Sequence, residues 1–271
     1  MLKQRIITAA ILLPVAIFGF FYLEGIAFAL FIGLVVTLAA WEWAHLAGFE
    51  AQPVRVAYAA LVALLLVGLH RLPALAPWLM TAAVFWWVAA TALVLGYPQS
   101  QRFWGGAPGR LLIGLLILLP AWQALLILKQ WPAGNWLIIA VMVLVWAADI
   151  GAYFSGKAFG RRKLAPAVSP GKSWEGLVGG LLTSLAITLA VGLYRGWSAR
   201  ELVLALLGAA LVVGVSVIGD LTESMFKRSA GIKDSSQLLP GHGGVMDRID
   251  SLTAAIPLFT VLLWLAGWGA W

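Results

Sequence analysis

Between Asp220 and Asp250 the chain gathers, in one stretch, the side chains that phosphate chemistry needs. Ser224, Lys227, Arg228, Lys233 and Asp234 are followed by Pro240-Gly241-His242-Gly243-Gly244 and then by Asp247-Arg248-Ile249-Asp250. Ammonium and guanidinium groups bind phosphate oxygens, and adjacent glycines let the backbone come close to them. Asp220, Asp247 and Asp250, with Glu223 beside them, supply hard oxygen ligands for a divalent metal. On a helix Asp220, Glu223, Ser224 and Lys227 lie three or four residues apart and share one face. Glu223 and Lys227 also have the spacing of an ordinary surface ion pair. Asp220 has Ser216 and Ser224, not a cation, one turn away on either side. That predicts a metal or a phosphate-bound metal as its partner.

Two shorter segments belong with this stretch. Asp149 falls at the end of an apolar run, where a bare carboxylate is costly and usually faces a cavity. Ser169-Pro170-Gly171-Lys172-Ser173 precedes another apolar run, so Lys172 and Ser173 are candidate phosphate contacts at a helix N-terminus. The Gly-Lys-Ser order does not make a P-loop. Pro166 stands where its first glycine belongs, and the stretch before it reads as a basic loop rather than a strand. Arg161-Arg162-Lys163 reads as a topology signal and an anionic-lipid contact. Asp247 and Asp250 also suit the start of a helix electrostatically, and His242 suits a turn as well as a phosphate.

The elements that must position these residues are membrane spans. Of the 271 residues 62% are hydrophobic and 11% charged, against about 25% charged in soluble domains; mean hydropathy is +0.96. Nine apolar runs approach the roughly 20 residues a transmembrane helix needs, at about 6–23, 26–44, 54–69, 74–97, 111–128, 136–154, 176–194, 202–221 and 252–269. The expectation is an all-α, polytopic integral membrane protein of about nine transmembrane helices. Residues 1–100 form a transmembrane scaffold, and 101–271 a catalytic region with the motif loop 220–250.

With the N-terminus inside, the inner loops receive Lys3, Arg5, Arg55, Arg102, Arg110, Lys157, Arg161, Arg162, Lys163, Lys172, Lys227, Arg228, Lys233 and Arg248. The outer loops receive Arg71, Lys129, Arg195 and Arg200. This asymmetry puts the motif loop, and an active site, at the cytoplasmic face. Ala27-Phe28-Ala29 could pass for a signal-peptide cleavage site, but the apolar run continues past it, so the first span is expected to be retained. Trp41, Trp43, Trp86, Trp87, Trp264 and Trp268 read as interface anchors. With no cysteine there is no disulfide and no thiolate nucleophile, and three scattered histidines make a zinc site improbable.

At the motif stretch the chain resembles the phosphatidate cytidylyltransferase (CDP-diacylglycerol synthase) family. The likeness is carried by Ser224, Lys227, Arg228, Lys233, Asp234, Pro240, His242, Gly243, Gly244, Asp247, Arg248 and Asp250 at the family's spacing. The resemblance implies an enzyme of phospholipid synthesis that joins CTP to phosphatidic acid, giving CDP-diacylglycerol and pyrophosphate, with Mg²⁺ required and room for a second cation. It implies Asp220, Asp247, Lys227 and Asp149 at the reacting centre, and Asp220, Asp247, Asp250 and Glu223 around metal. Lys172, Ser173, Ser224, Arg228, Lys233, His242, Gly243, Gly244 and Arg248 would contact substrate. CTP, phosphatidic acid and membrane lipids are the expected partners, with no nucleic acid and with room for a homodimer. The expected location is a bacterial inner membrane. Two other readings remain open on the residues alone. A CTP-dependent kinase of a lipid alcohol would release CDP instead of pyrophosphate. A transporter of anionic lipids would carry polar residues through the midplane, whereas this chain holds them at one face.

Overall fold

Long apolar sequences leave backbone amides no partner in a bilayer except their own helix, and the fold follows that constraint. The structure, a computed structural model, describes residues 2–269. The side chains of Lys3 and Arg5, counted among the inner cations, and residues 270–271 of the expected C-terminal region lie outside the described part. Among the described residues ten helices run in the order α1 (Leu2–Phe21), α2 (Gly25–Leu46), α3 (Gln52–Arg71), α4 (Ala76–Leu95), the single turn α5 (Gln101–Trp104), α6 (Ala107–Gln130), α7 (Gly134–Phe159), α8 (Trp174–Tyr194), α9 (Ala199–Ser229) and α10 (Met246–Leu265). A 3₁₀ turn at Pro73–Leu75 leads into α4. Among the described residues, eight helices are long and apolar enough to cross a membrane, while the apolar part of α1, Ile6–Phe21, is shorter. All nine expected runs are helical, and the protein is a polytopic membrane protein.

The stretch before Lys172 is not a plain loop, as expected, but a small antiparallel hairpin of β1 (Lys163–Ala165) and β2 (Ser169–Ser173). Its antiparallel pairing still excludes a P-loop, which needs a strand leading into a phosphate-wrapping turn. Ser173 ends the hairpin and caps α8, its hydroxyl accepting from the Gly176 amide at 3.1 Å. Glu175 carries the basic turn by accepting from the Arg161 and Arg162 amides at 3.1 and 3.2 Å.

Small residues set the helix spacing around the site. A Cβ on Gly180 of α8 would lie 2.5 Å from the Ala148 carbonyl of α7, and one on Gly219 of α9 would lie 2.7 Å from the Asp250 carbonyl of α10. Close backbone approach of this kind is how membrane helices gain packing energy without a hydrophobic driving force between them. Gly219 thereby brings α10 against α9 at the level of Asp220. Phe226 of α9 is buried between Trp43 and Trp104, with ring centroids 4.8 and 4.5 Å away. Trp43, Trp86 and Trp87 are thus core residues and not interface anchors; their rings fill space between helices, and the Trp43 indole donates to the Arg110 carbonyl at 2.8 Å. Trp264 and Trp268 stay exposed.

At about 1.5 Å per residue the 31 residues of α9 extend roughly 46 Å, more than the about 30 Å of a bilayer core. The helix therefore carries Asp220 to Ser229 to the membrane edge without a break. At its other end Ser198 and Glu201 form a reciprocal capping box, which accounts for the solitary carboxylate on that side.

Candidate active site

The expected helical face exists: α9 presents Asp220, Glu223, Ser224 and Lys227 along its last turns. Lys227 is the hub. Its ammonium lies 2.5 Å from Glu223 Oε2 and 2.7 Å from Asp247 Oδ1, tying α9 to the start of α10. Glu223 is fully buried, so this is an interior ion pair and not the surface pair that its spacing suggests. Asp247 Oδ2 accepts from the Ser235 amide at 2.9 Å, the Ser235 hydroxyl at 2.8 Å and the Gly244 amide at 2.7 Å. A carboxylate accepting several donors is strongly fixed in orientation, and the single donor on Oδ1 leaves that oxygen with accepting capacity.

Asp220 does have a cation, contrary to the expectation from its own helix. Lys172 of β2 forms an ion pair with Asp220 Oδ2, while Ser224 donates to Oδ1 at 3.2 Å. The partner comes from 48 residues away in sequence, where helical spacing gives no view of it. Lys172 and Asp220, with Asp149, Tyr153, Lys157 and Ser173, line a cavity of about 390 Å³ between α7, α8, α9 and the hairpin. Asp149 is exposed in this wall and feels the charges of both Lys172 and Asp220. Asp250 feels those of Asp220, Lys172 and Lys227, and Glu223 those of Asp247, Asp250 and Lys227. Five carboxylates thus share one neighbourhood with two paired lysines.

The remaining expected contacts divide. Lys233 and Arg248 are exposed and, among the described residues, form no ion pair. Arg228 is exposed but spends its Nε on the Val168 carbonyl at 3.2 Å, holding the hairpin turn. Ser173 uses its hydroxyl oxygen as the α8 cap. His242 keeps Nδ1 buried with no hydrogen-bond partner. The glycine pair has a packing role: Gly243, at φ +81°, would place a Cβ 2.7 Å from Asp247 Oδ2, and a Cβ on Gly244 would overlap Ser235 and Glu42.

Several residues that hold the site escaped the sequence reading, and most of them lie in the N-terminal half. Thr8 donates to the Pro240 carbonyl at 2.8 Å. Gln101 and Arg110 both donate to Ser229 Oγ at 2.8 Å. Glu42 of α2 accepts from Ser235 and Ser236 of the motif loop. The signal was present in Glu42, an acidic residue within an apolar run.

Whether a magnesium ion fits can be judged from the donors. Among the described residues no three acidic or imidazole groups form a ready-made cage. Yet Glu223 Oε1 is buried without a hydrogen-bond partner, beside an excess of carboxylates. Mg²⁺ characteristically binds through one or two carboxylates plus substrate phosphates and keeps several waters. The residues fit that mode of binding.

The fold is that of a polytopic membrane protein, with lysines and carboxylates gathered at one end of its helices. Residues 3–266 match the cytidylyltransferase family, and the chain belongs to it; it is a nucleotidyltransferase. A phosphatidate cytidylyltransferase of Pseudomonas aeruginosa is 73% identical over 270 residues, covering the whole of both chains. One from Haemophilus influenzae is 42% identical over 290 positions, covering 96% of this chain and 98% of its own. One from Synechocystis is 48% identical over 139 residues, half of this chain and 46% of its own.

Proposed function

We propose that this chain transfers the cytidylyl group of CTP to phosphatidic acid, forming CDP-diacylglycerol and pyrophosphate. The observation that carries the reading is the Lys172–Asp220 pair in the wall of an interhelical cavity, directly beside a buried acid cluster. A cation, a carboxylate and an interhelical cavity occur together, which suits the meeting of a lipid phosphate with a nucleotide. The relatives' names support the same two substrates.

The lipid phosphate is largely dianionic near neutral pH, so its oxygen needs little help from a base. That oxygen forms a bond to the α-phosphorus of CTP. The bond from the α-phosphorus to the bridging oxygen breaks, and pyrophosphate leaves with the electron pair. What the protein must do is hold two polyanions in line and offset the charge that develops. Lys172 is placed to take a phosphate in exchange for Asp220. Lys227 is held by Glu223 and Asp247 so that its position does not depend on substrate. Lys233, Arg248 and Arg228 stand exposed around the loop as further phosphate contacts, and His242 stands beside them in the same loop. Asp220 and Asp247, through its Oδ1, would hold a magnesium ion, with Asp250 and Glu223 alongside; bound there, it would neutralise the triphosphate and the departing pyrophosphate. Asp149 lines the cavity at the reacting centre, within reach of the charge of Lys172. A second cation and a homodimer remain compatible with this scheme. The positive-charge bias supports a cytoplasmic location for this end of the helices, in a bacterial inner membrane.

The test is purified protein in detergent with phosphatidic acid, Mg²⁺ and CTP labelled separately at the α- and γ-phosphates. Label from the α position in the lipid, with pyrophosphate released, is the expected result. Label from the γ position in a lipid, with CDP released, would replace this reading with a kinase.

A further inference from the structure

Helix α2 carries one carboxylate within its apolar length, Glu42, and the side chain has no exposed surface. Among the described residues it forms no ion pair. It is nonetheless fully occupied. Oε1 accepts from the Ser236 hydroxyl at 2.5 Å and the Val245 amide at 2.9 Å; Oε2 accepts from the Met246 amide at 2.6 Å and the Ser235 hydroxyl at 3.2 Å. All four donors belong to residues 235–246, the part of the motif loop that leads into α10. The first amides of a helix have no partner within it, and a carboxylate there is favourable to the helix dipole. Glu42 supplies that partner from another helix, 204 residues away in sequence from Met246. His45, one turn further along α2, lies with Nδ1 3.4 Å from the Ser235 carbonyl and steadies the same residue.

Ser235 connects this anchor to the reacting groups. Its hydroxyl sits 3.2 Å from Glu42 Oε2 and 2.8 Å from Asp247 Oδ2. A serine hydroxyl has one proton to donate, so the two carboxylates share a single donor. The position of Ser235 is therefore set jointly by both, while its amide also binds Asp247. The sequence of contacts then runs from Asp247 to Lys227 and from Lys227 to Glu223. A Cβ at Gly244 would overlap both Ser235 and Glu42, so the second glycine of the pair is what lets the loop close onto this carboxylate.

We propose that Glu42 is a positioning residue for cytidylyl transfer. It touches no substrate; by fixing Ser235 and the first turn of α10 it sets the orientation of the Asp247 carboxylate, and through it Lys227. The inference rests on the proposed role of Asp247 in that reaction. It gives the N-terminal half, read from sequence as scaffold, a direct part in aligning the site.

The test compares wild type, Glu42→Gln and Ser235→Ala in the labelled-CTP assay, with steady-state kinetics at varied CTP, phosphatidic acid and Mg²⁺. Thermal unfolding in detergent is followed in parallel. Glu42→Gln keeps shape but puts an amide donor against donors. Ser235→Ala cuts only the link and leaves the bonds of Glu42 to the α10 amides in place. Groups that orient a metal-site ligand typically change affinity or activity by roughly 10–100-fold. Both variants should lose kcat on that scale and need more Mg²⁺, with KM for both substrates within about threefold of wild type. Ser235→Ala should do so with little change in unfolding temperature. Folded variants with wild-type kcat and wild-type Mg²⁺ dependence would overturn the inference and leave Glu42 a stabilising contact only. Wild-type protein that transfers no α-label would overturn the functional reading, and the inference with it.

Discussion

The site contains two lysine–carboxylate pairs whose surroundings differ. Lys172 and Asp220 meet across the wall of a cavity, and each side chain is 27% exposed. Lys227 is 12% exposed and lies against Glu223 and Asp247, at 0% and 5%. The first pair joins a hairpin to a helix, and among the described residues Ser224 is the one further side-chain partner of Asp220. The second is enclosed by Ser235, Gly244 and, one step behind, Glu42. A partly exposed pair is screened and contributes little to stability, so it can open at little cost; in the proposed reaction Lys172 would exchange the carboxylate for a phosphate. A buried pair is costly to break from one side, because the other charge is left unpaired. Similar pairs thus differ in setting: Lys172–Asp220 is partly exposed at a cavity wall, and Asp247 is built in.

Substitutions should separate the two. The largest effect is expected for Asp247→Asn. Removing one member of a buried pair typically destabilises by about 3–5 kcal/mol, and activity should fall at least as far as for loss of a preorganised electrostatic contact, roughly 10²–10³-fold; chemical denaturation in detergent and the labelled-CTP assay measure both. Asp220→Asn should lower activity on a similar scale of roughly 10²–10³-fold while shifting stability by no more than about 1 kcal/mol. Equal destabilisation by the two variants would remove the distinction. Gly244→Ala should cost about 1–3 kcal/mol through overpacking against Ser235 and Glu42, with activity falling as the loop is displaced. Ser198→Ala, at the opposite end of α9, should lose about 1 kcal/mol with the capping box and leave kcat unchanged, which calibrates a stability loss remote from either pair.

The extent to which this was legible from sequence follows from which interactions are local. The nine apolar runs and the shared face of Asp220, Glu223, Ser224 and Lys227 depend on lengths and spacings along one helix. Both appear in the structure, where α9 continues past the apolar run to Ser229 and carries that face. What could not be read are pairings between distant segments. Lys172 reaches Asp220, and Glu42 reaches Ser235, only because helix packing brings them together. Trp43 falls near a span end and so resembles an interface anchor in one dimension, whereas Trp86 and Trp87 lie at the middle of their run; packing against neighbouring helices buries all three. The hairpin at Lys163–Ser173 was hidden by its glycine, prolines and basic residues, which read as loop. Glu42 was visible as a carboxylate in an apolar run, but only its partners show that it belongs to the site.

The most direct test of the difference between the pairs is lysine acylation by a small amine-reactive reagent, read residue by residue by mass spectrometry. The protein is labelled alone and with CTP, Mg²⁺ and a short-chain phosphatidic acid. Lys172 should be modified in the free protein and protected by substrates, while Lys227 stays unmodified in both states. Rapid modification of Lys227 that substrates suppress, with Lys172 indifferent to them, would contradict the account.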